Sequence, residues 1–353
     1  MQSNTIELGF LSIFSLITFF IFLVINKYSN KINNGILLDK DFQKPQAFHI
    51  EAVSRSGGIA SIISLILFFY IYYLLFSEIL YEYIFISSSL FLIGCLDDFK
   101  IDISPGSRLV LMIIFLIMFI IFLPIQIKNI DLIFLNTLLQ NKIASSAFVL
   151  LCFLFIINGA NLIDGFNGLL SINLIIINSV LLIINLNNDH FNFSIFLIAQ
   201  IIVLVCFLLF NFPKAKIFFG DGGSYLFGSL VALNAIITNN LNIKISSFFF
   251  CILLFYFFFE VLFSFIRKIY QKKSPFHPDS EHLHMLSYNK ILKIYGADKG
   301  NYMNSVLINT VYSILVLPVI YFADNSLICK YWFFSLIVFY LIIYMKLKVI
   351  KKN

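Results

Sequence analysis

The stretch FLIGCLDDFKID (residues 91–102) joins an apolar run to two adjacent carboxylates, Asp97 and Asp98. Comparable apolar runs recur along the whole chain of 353 residues, which is 60% hydrophobic and 12% charged, with a mean hydropathy of +0.96. Soluble domains keep roughly a quarter of their residues charged. The composition therefore excludes an ordinary soluble domain and indicates an all-α, polytopic membrane protein.

Apolar runs of about 20 residues are long enough to cross a hydrocarbon core of about 30 Å. The sequence predicts eleven transmembrane helices within one membrane domain, residues 1–353. The first run is interpreted as a retained helix, because neither a basic region nor a small-residue cleavage site flanks it. The predicted helices are residues 5–26, 58–77, 80–96, 109–127, 143–162, 169–187, 192–211, 222–239, 246–266, 304–322 and 326–345.

The orientation follows from Lys and Arg, which accumulate in cytoplasmic loops. With the N-terminus placed outside, one side of the predicted topology carries 20 of the 24 Lys and Arg residues. The opposite loops carry only Lys128, Lys142, Lys244 and Lys330. We therefore expect the first side to face the cytoplasm, where the net charge of +6 lies beside anionic headgroups of the lipid bilayer. No nucleic-acid-binding motif accompanies this charge, so nucleic acid is not an expected partner.

Carboxylates beside hydrocarbon are costly, so they are candidate functional residues. The first cluster contains Asp97 and Asp98, followed by Asp102 and Arg108. Neighbouring acids raise each other's pKa unless a cation compensates, which fits a divalent metal or a proton-transfer role. The alternative is a solvated pair of acids at a helix end, paired with Lys100 or Arg108.

The second cluster is INGANLIDGFNGLL (residues 157–170), in which amides and one acid recur every three residues along one face of a helix end. Two glycines permit a tight turn or the close approach of a ligand. The alternative is a polar packing stripe between membrane helices. The polar residues are Asn158, Asn161, Asp164 and Asn167.

The third cluster is FFGDGGSYLFG (residues 218–228), in which Asp221 is surrounded by glycines before a new apolar run. This pattern is typical of an anion or metal site at a helix start. The alternative is an ordinary N-cap, with Asp221 bonded to the first free backbone N–H groups.

The fourth cluster is SPFHPDSEHLHM (residues 274–285), which holds three of the five histidines of the chain. The HxH spacing does not match a zinc site. A site for phosphate or pyrophosphate, built from histidines with Arg267, Lys272 and Lys273, fits the composition better. The alternative is a solvated loop. All four clusters fall on the predicted cytoplasmic face, which four unrelated structural features would not require.

Five motifs in order, KPQAFH…SRSGGIA, GCLDDF, NGANLIDGFNGLL, FFGDGGSYLFG and PDSEHLHM, resemble the polyprenyl-phosphate N-acetylhexosamine-1-phosphate transferases over residues 40–290. The resemblance implies a fold of ten or eleven helices with a cytoplasmic active-site cleft in a bacterial plasma membrane. It implies transfer of a sugar 1-phosphate from a UDP-sugar to undecaprenyl or another polyprenyl phosphate, with release of UMP. It also implies that a homodimer can form.

The resemblance also assigns roles to the acids. Asp221 matches the family's Mg²⁺ ligand, with Mn²⁺ as a substitute ion, and Asp98 is expected beside it as a second ligand. Asp97 and Asp98 match paired acids that activate or position the acceptor phosphate, and Asp97 is the candidate base. Asp164, in the metal cleft, and His282 and His284, near the diphosphate or the sugar, complete the expected catalytic set.

The expected substrate-binding residues come from several loops. Asn158 and Asn161 resemble nucleotide-binding residues, and Asn167 stands where many members have Asp, which removes one carboxylate. The remaining members of this set are Lys44, Arg55 and Arg267. The motif before the second helix and Met285 at the end of the histidine motif differ from the peptidoglycan translocase, which favours the surface-polysaccharide branch, including O-antigen and lipopolysaccharide synthesis. Glu260 is expected to pair with Arg267 or to remain protonated.

Two other classes were considered. A cation-coupled transporter would use the same acids as a cation path, but transporter sites lie near the bilayer midplane, whereas these acids cluster at one face. An intramembrane aspartyl protease requires Gly-x-Gly-Asp, and position 218 is Phe. The sequence therefore favours the transferase, and the sugar stays open between N-acetylglucosamine, N-acetylgalactosamine and a deoxy-aminosugar.

Overall fold

The computed structural model describes residues 2–29, 35–40, 51–101, 103–275, 277 and 279–352. Within these ranges the chain is an all-α protein with one pair of two-residue antiparallel strands, β1 (Leu38–Asp39) and β2 (Val53–Ser54). The helices are α1 (Gln2–Tyr28), α2 (Gly57–Phe76), α3 (Tyr81–Asp98), α4 (Pro105–Phe122), α5 (Ile133–Leu138), α6 (Lys142–Ile163), α7 (Leu169–Asn187), α8 (Phe191–Asn211), α9 (Gly220–Leu241), α10 (Ser247–Leu253), α11 (Phe255–Tyr270), α12 (Leu283–Val316) and α13 (Ser326–Lys352).

The described helices confirm a polytopic membrane protein. Eight of them are long and apolar enough to cross a membrane, and α10 with α11, bent by 75°, would make a ninth. Each of the eleven predicted runs overlaps a helix or this bent pair, and the tenth run also includes a 3-10 helix, Leu317–Phe322. Because α3 and α9 are too polar for the same criterion, the count of eleven spans stays a prediction.

The polarity of α9 follows from its position in the middle of the bundle. Seventeen of its 22 residues are buried, so it needs no apolar surface toward lipid. Small residues let its neighbours approach closely, as is usual between membrane helices. A Cβ added at Gly94 of α3 would lie 2.3 Å from the carbonyl oxygen of Asp221, and one at Gly58 of α2 would lie 2.5 Å from the backbone nitrogen of Gly223.

Buried amides hold the centre of the bundle together. The side-chain nitrogen of Asn234 in α9 donates to Asn178 in α7 at 3.0 Å and to Gln200 in α8 at 2.7 Å. The hydroxyl of Tyr83 in α3 donates to the amide oxygen of Asn234 at 2.8 Å. Polar groups in an apolar interior are stabilised only when they are hydrogen-bonded. This network therefore fixes four helices in register.

The loops that were predicted to share one side meet at one end of the bundle. The backbone N–H of Phe218 donates to the carbonyl of Ser54 at 2.8 Å, and Gly57 donates in return to Phe218 at 2.8 Å. At the other end, Asn240 donates to the carbonyl of Gln126 at 2.6 Å. The loops thus alternate between two ends as predicted. That the first end faces the cytoplasm stays a prediction.

Candidate active site

Asp98 anchors the start of α9. Its two carboxylate oxygens accept the backbone N–H groups of Asp221 at 3.0 Å and Gly222 at 2.9 Å, and its side chain is only 3% exposed. Gly220 has a φ of +71°, which favours glycine. The capping that was considered for Asp221 is thus provided by Asp98 from a different helix. A carboxylate at a helix N-terminus is also stabilised by the helix dipole.

Asp97 and Asp221 share one cation. The same terminal nitrogen of Arg108 lies 3.1 Å from the Oδ1 of Asp97 and also contacts the Oδ2 of Asp221. Arg108 is in the first turn of α4, where the Oγ of Ser104 accepts the backbone N–H of Ser107 at 3.1 Å and caps the helix. Unlike buried Asp98, Asp97 keeps 32% of its side chain exposed. The first two acids of the sequence motif therefore face different surroundings.

Arg55 holds the other side of this acid cluster. Its guanidinium donates to the Oδ2 of Asp39 through two nitrogens, at 2.7 and 3.1 Å. It also lies 3.4 Å from Asp97 and 3.7 Å from Asp98. The pair of strands β1 and β2 carries Asp39 and leads into Arg55, so this small sheet fixes the arginine against the acids.

The end of α6 reaches the same cluster. The side-chain nitrogen of Asn161 donates to the Oδ1 of Asp221 at 3.0 Å and to the Oγ of Ser224 at 3.0 Å. Asn158, one turn earlier, donates to the carbonyl of Leu154 in its own helix at 2.7 Å. The structure therefore connects Asn161 directly with Asp221, whereas the nitrogen of Asn158 is bonded within α6.

Asp164 follows α6 directly and has an unusual proton affinity. Burial, reinforced by the charge of Asp221, raises its pKa to about 7, and Arg55 opposes the shift. A carboxyl group with such a pKa can exchange a proton near neutrality. Asn167, in the same loop, donates through its side chain to the carbonyl of Pro213 at 2.9 Å, and its backbone N–H donates to Asn301 at 2.8 Å.

The histidine motif is bound by a carboxylate of α11. The Nδ1 of His282 lies 3.1 Å from the Oε1 of Glu260, and the Nε2 lies 3.4 Å from Asp279. Glu260 also accepts the backbone N–H of Leu283 at 3.1 Å and the hydroxyl of Tyr340 in α13 at 2.5 Å. The expected pairing of Glu260 with Arg267 is wrong. The turn before α12 brings a histidine to this carboxylate instead.

His284 is buried beside the second cluster. Its Nδ1 lies 3.3 Å from the hydroxyl of Tyr256, and its ring contacts that of Phe166 edge-on at 5.8 Å between centroids. Burial lowers the pKa of His284 to about 3, with the charge of Glu260 opposing the shift. A neutral ring is the expected state. Its Nε2 has no hydrogen-bond partner among the described residues.

Arg267 stabilises the histidine loop from within. Its guanidinium donates to Asp279 at 2.7 Å, to the hydroxyl of Tyr344 at 2.9 Å and to Ser264 at 3.2 Å, and it contacts the carbonyl of Glu281. With its side chain only 6% exposed, these contacts shape the loop that carries His282. The expected role of Arg267 in substrate binding stays a prediction.

The acid cluster and the histidine loop are joined through α6 and the loop after it. Phe166 contacts the ring of His284, and a Cβ added at Gly159 would lie 2.4 Å from the backbone of Phe257 in α11. Asn161, two residues after Gly159, is bonded to Asp221. A single helix end therefore positions both groups of predicted site residues.

A cavity of about 340 Å³ opens beside the acid cluster, a size typical of small-molecule sites. Its wall contains three cations, Lys40, Arg55 and Lys100, together with three of the acids. Such a mixed wall suits a ligand that carries phosphates together with a metal ion. The cavity is lined by residues 36–40, Arg55, Asp97, Asp98, Lys100 and Ile101.

The charges of the acid cluster fit a divalent cation. Two guanidinium groups, those of Arg55 and Arg108, face carboxyl groups on three elements of the fold and on the loop after α6. No three acids, histidines or cysteines of the described residues are arranged to hold a metal ion. Mg²⁺ is usually bound through one or two carboxylates plus substrate phosphates. Asp221 and Asp97 could supply these carboxylates, whereas both oxygens of Asp98, the expected second ligand, accept backbone N–H groups of α9. The carboxyl groups are those of Asp39, Asp97, Asp98, Asp164 and Asp221.

The predicted site residues differ in part from those that the structure brings together. Lys44 lies outside the described residues. Arg108 appeared in the sequence analysis only as a pairing partner, although a lone arginine at the start of an apolar run is itself a functional signal. Asp39 and Tyr340 carried no local signal, because their roles arise from contacts across 16 and 80 residues of sequence.

The chain is similar in sequence to known proteins. Residues 80–239 match the model of glycosyl transferase family 4. The undecaprenyl-phosphate alpha-N-acetylglucosaminyl 1-phosphate transferase of Thermotoga maritima is 26% identical over 279 residues, which are 79% of this chain and 81% of the relative. The resemblance to the polyprenyl-phosphate N-acetylhexosamine-1-phosphate transferase family is confirmed.

A second group of relatives in this family covers less of the chain. The phospho-N-acetylmuramoyl-pentapeptide-transferase of Clostridium perfringens is 35% identical over 31% of this chain and 34% of its own length. That of Bacillus subtilis is 29% identical over 52% of this chain and 60% of its own length. The family match contains Asp97, Asp98, Asn161 and Asp221, whereas the histidine loop lies beyond it.

Proposed function

We propose that this protein transfers a sugar 1-phosphate, GlcNAc-1-phosphate or a related aminosugar phosphate, from a UDP-sugar to undecaprenyl or another polyprenyl phosphate. An oxygen of the acceptor phosphate attacks the phosphorus that bears the sugar, and the bond between the two phosphates of UDP breaks. UMP leaves, and a lipid-linked pyrophosphate sugar remains. The reaction would be the first membrane step in the synthesis of a cell-envelope polysaccharide.

The observation that carries this proposal is the convergence of α3, α4, α6 and α9 on Asp221. Asn161 and Arg108 contact its carboxylate, and Asp98 fixes its backbone. Phosphoryl transfer depends mostly on positioning and on charge stabilisation. Asp221, with Asp97 beside it, would hold Mg²⁺ or Mn²⁺, and the bound ion would neutralise charge on the diphosphate.

The other residues act around this centre. Asp97 would hold the ion through Oδ1, the oxygen beside Arg108, and its Oδ2 is the candidate to take a proton from the acceptor phosphate, because Asp97 is the more exposed acid of the pair at the cavity wall. Asp98 has a positioning role, since both of its oxygens hold the start of α9. His282 and His284 would face the diphosphate or the sugar from the loop that Glu260 supports.

The position of the site at one end of the bundle suits a lipid substrate. The acids lie at the ends of helices in the bundle, so the tail of a polyprenyl acceptor can remain in the bilayer while its phosphate reaches the cavity. A transporter site would be expected near the midplane within broken helices, and these acids lie at helix ends. We propose a bacterial plasma membrane with the site on the cytoplasmic side.

The branch of the family is part of the proposal. The N-acetylglucosaminyl transferase relative aligns with about four fifths of both chains, and the two pentapeptide transferases align over shorter segments. This supports a surface-polysaccharide enzyme rather than a peptidoglycan enzyme.

The test is release of UMP by the purified protein in detergent with undecaprenyl phosphate and Mg²⁺. UDP-N-acetylglucosamine, UDP-N-acetylgalactosamine and UDP-N-acetylmuramoyl-pentapeptide are supplied separately. We expect UMP with one of the first two donors and none from Asp221→Asn. Release only with the pentapeptide donor would refute the branch. No release with any donor, together with cation flux in liposomes, would refute the transferase.

A further inference from the structure

Arg108 makes an incomplete set of contacts in the acid cluster. One of its terminal nitrogens serves both Asp97 and Asp221. Its Nε is buried and has no hydrogen-bond partner among the described residues, and its side chain is 16% exposed. A guanidinium carries five N–H donors in a fixed fork. Most of the N–H donors of Arg108 are therefore not bonded to the two carboxylates.

Arg55 differs from Arg108 although both lie beside Asp97. Two of its nitrogens are bound to Asp39 at 2.7 and 3.1 Å, and Asp39 belongs to the small sheet. Its contacts with Asp97 and Asp98 are longer, at 3.4 and 3.7 Å. Arg55 is thus anchored by a partner outside the pair of Asp97 and Asp221, whereas among the described residues the guanidinium of Arg108 is bound only by that pair.

The contact atom of Arg108 lies between the oxygens that a bridging cation would need. A divalent ion bound to Asp97 and Asp221 would meet a positive charge at contact distance, and like charges this close repel strongly where water is scarce. Both cations cannot occupy this position at once. Arg108 must withdraw before a metal ion can bind both carboxylates.

We propose that Arg108 competes with the divalent cation for Asp97 and Asp221. The free protein then binds the metal weakly, and binding of the nucleotide sugar allows the metal to bind. This inference rests on the proposed function. Phosphate oxygens of the donor accept the hydrogen bonds of the guanidinium, since Arg forms strong paired bonds with phosphate. Arg108 then leaves the carboxylates, and Asp97 and Asp221 would be free to hold the metal.

This arrangement couples binding of the metal to binding of the nucleotide-sugar donor. Metal binding and donor binding strengthen each other, because each removes an obstacle to the other, and such coupling is reciprocal. A site that carries no tightly held metal before the donor arrives would not capture the acceptor phosphate unproductively. Part of the coupling should therefore disappear when the side chain at position 108 is neutral.

The test measures binding of Mn²⁺ alone to the full-length protein in detergent, from the electron paramagnetic resonance signal of the free ion. Arg108→Gln and Arg108→Met both remove the charge, and Arg108→Lys keeps it. Lys100→Gln is the matched control, because it removes a cation from the wall of the neighbouring cavity, which Asp97 also lines, but not one in contact with both acids. Thermal unfolding verifies that each variant is folded.

We expect Arg108→Gln and Arg108→Met to bind Mn²⁺ more tightly than the wild type, by on the order of tenfold, which corresponds to one removed charge contact. Lys100→Gln and Arg108→Lys should stay within about twofold of the wild type on the same scale. Adding UDP-N-acetylglucosamine should tighten Mn²⁺ binding more in the wild type than in Arg108→Gln.

Two results would overturn the inference. If both neutral variants bind Mn²⁺ no more tightly than the wild type, Arg108 does not compete with the metal. If Lys100→Gln gains as much affinity as Arg108→Gln, the effect is general electrostatics rather than competition for the pair. The proposed function is tested separately by Asp221→Asn. If this variant binds Mn²⁺ as the wild type does, the metal assignment itself is wrong.

Discussion

Glu260 and His282 form a buried pair at the base of the histidine loop, with 3.1 Å between Oε1 and Nδ1. The same carboxylate accepts the backbone N–H of Leu283 and the hydroxyl of Tyr340. Three separate parts of the chain therefore meet at one side chain. Glu260 fixes both the ring orientation of His282 and the first turn of α12.

Glu260→Gln should lower the turnover number by about tenfold to a hundredfold, the range typical when the hydrogen-bond partner that orients a metal-bound histidine is lost. The amide keeps the size but loses the charge that holds the imidazole. The KM for the UDP-sugar should change little, because Glu260 does not line the described cavity. Kinetics of UMP release measure both parameters. Tyr340→Phe is the matched control, with a smaller loss, and equal losses in both variants would contradict the role of the charge.

Asp98 and Asp221 should respond differently to the same change. Asp98→Asn leaves one acceptor for two buried backbone donors, and an unsatisfied donor costs about 1–3 kcal/mol of unfolding free energy. Asp221→Asn should reduce activity at least about 100-fold but preserve stability, because it removes one charge from a crowded group of acids. Thermal unfolding and UMP release, measured on both variants, separate the two effects. Loss of stability in Asp221→Asn alone would reverse this assignment.

Gly94→Ala should prevent correct assembly of α3 against α9. The new methyl group would lie 2.3 Å from the carbonyl oxygen of Asp221 and 2.4 Å from the nitrogen of Gly222, both in the backbone. Backbone atoms cannot rotate away as a side chain does, so yield and thermal stability should both fall. Gly106→Ala is the control, since the nearest atom to its added carbon is 3.9 Å away. Similar stability of the two variants would show that α3 and α9 are not packed this closely.

The pKa of Asp164 predicts a dependence of stability on pH when metal is removed with a chelator. An aspartate in the unfolded chain titrates near about 4, whereas burial and Asp221 raise the pKa of Asp164 to about 7 in the folded protein. Between these values the folded state binds more protons, so the free energy of unfolding falls as pH rises from about 4 to about 7. Asp164→Asn should lack this decline. Melting temperatures of both proteins at pH 5, 6, 7 and 8 would run in parallel if Asp164 titrates normally.

The orientation can be tested by labelling single added cysteines with a maleimide that does not cross the membrane. Lys244→Cys should react in intact spheroplasts, and Lys214→Cys should react only after permeabilisation. Both positions are exposed at loops on opposite ends of the bundle. The wild type, which contains five cysteines, provides the background. Reaction of Lys214→Cys in intact spheroplasts would place the candidate site outside the cytoplasm.

The sequence by itself determined the membrane class, the position of each apolar helix and the identity of most candidate site residues. Hydrophobic length and the rarity of charge act locally, so they are visible in a single segment. The order of the motifs was enough to suggest the family. Glu260 shows the limit of this approach, because its partner could be chosen only by knowing where the chain returns after α11.

Only the tertiary structure separated the roles of neighbouring residues. Asp97 and Asp98 are equivalent in the motif, yet Asp98 holds the start of α9 while Asp97 shares Arg108 with Asp221. The difference arises because consecutive residues at a helix end point in different directions, and what each meets is set by helices that are distant in sequence. Hydrogen bonds and ion pairs depend on distances of about 3 Å, which only the packing of α3, α4 and α9 defines.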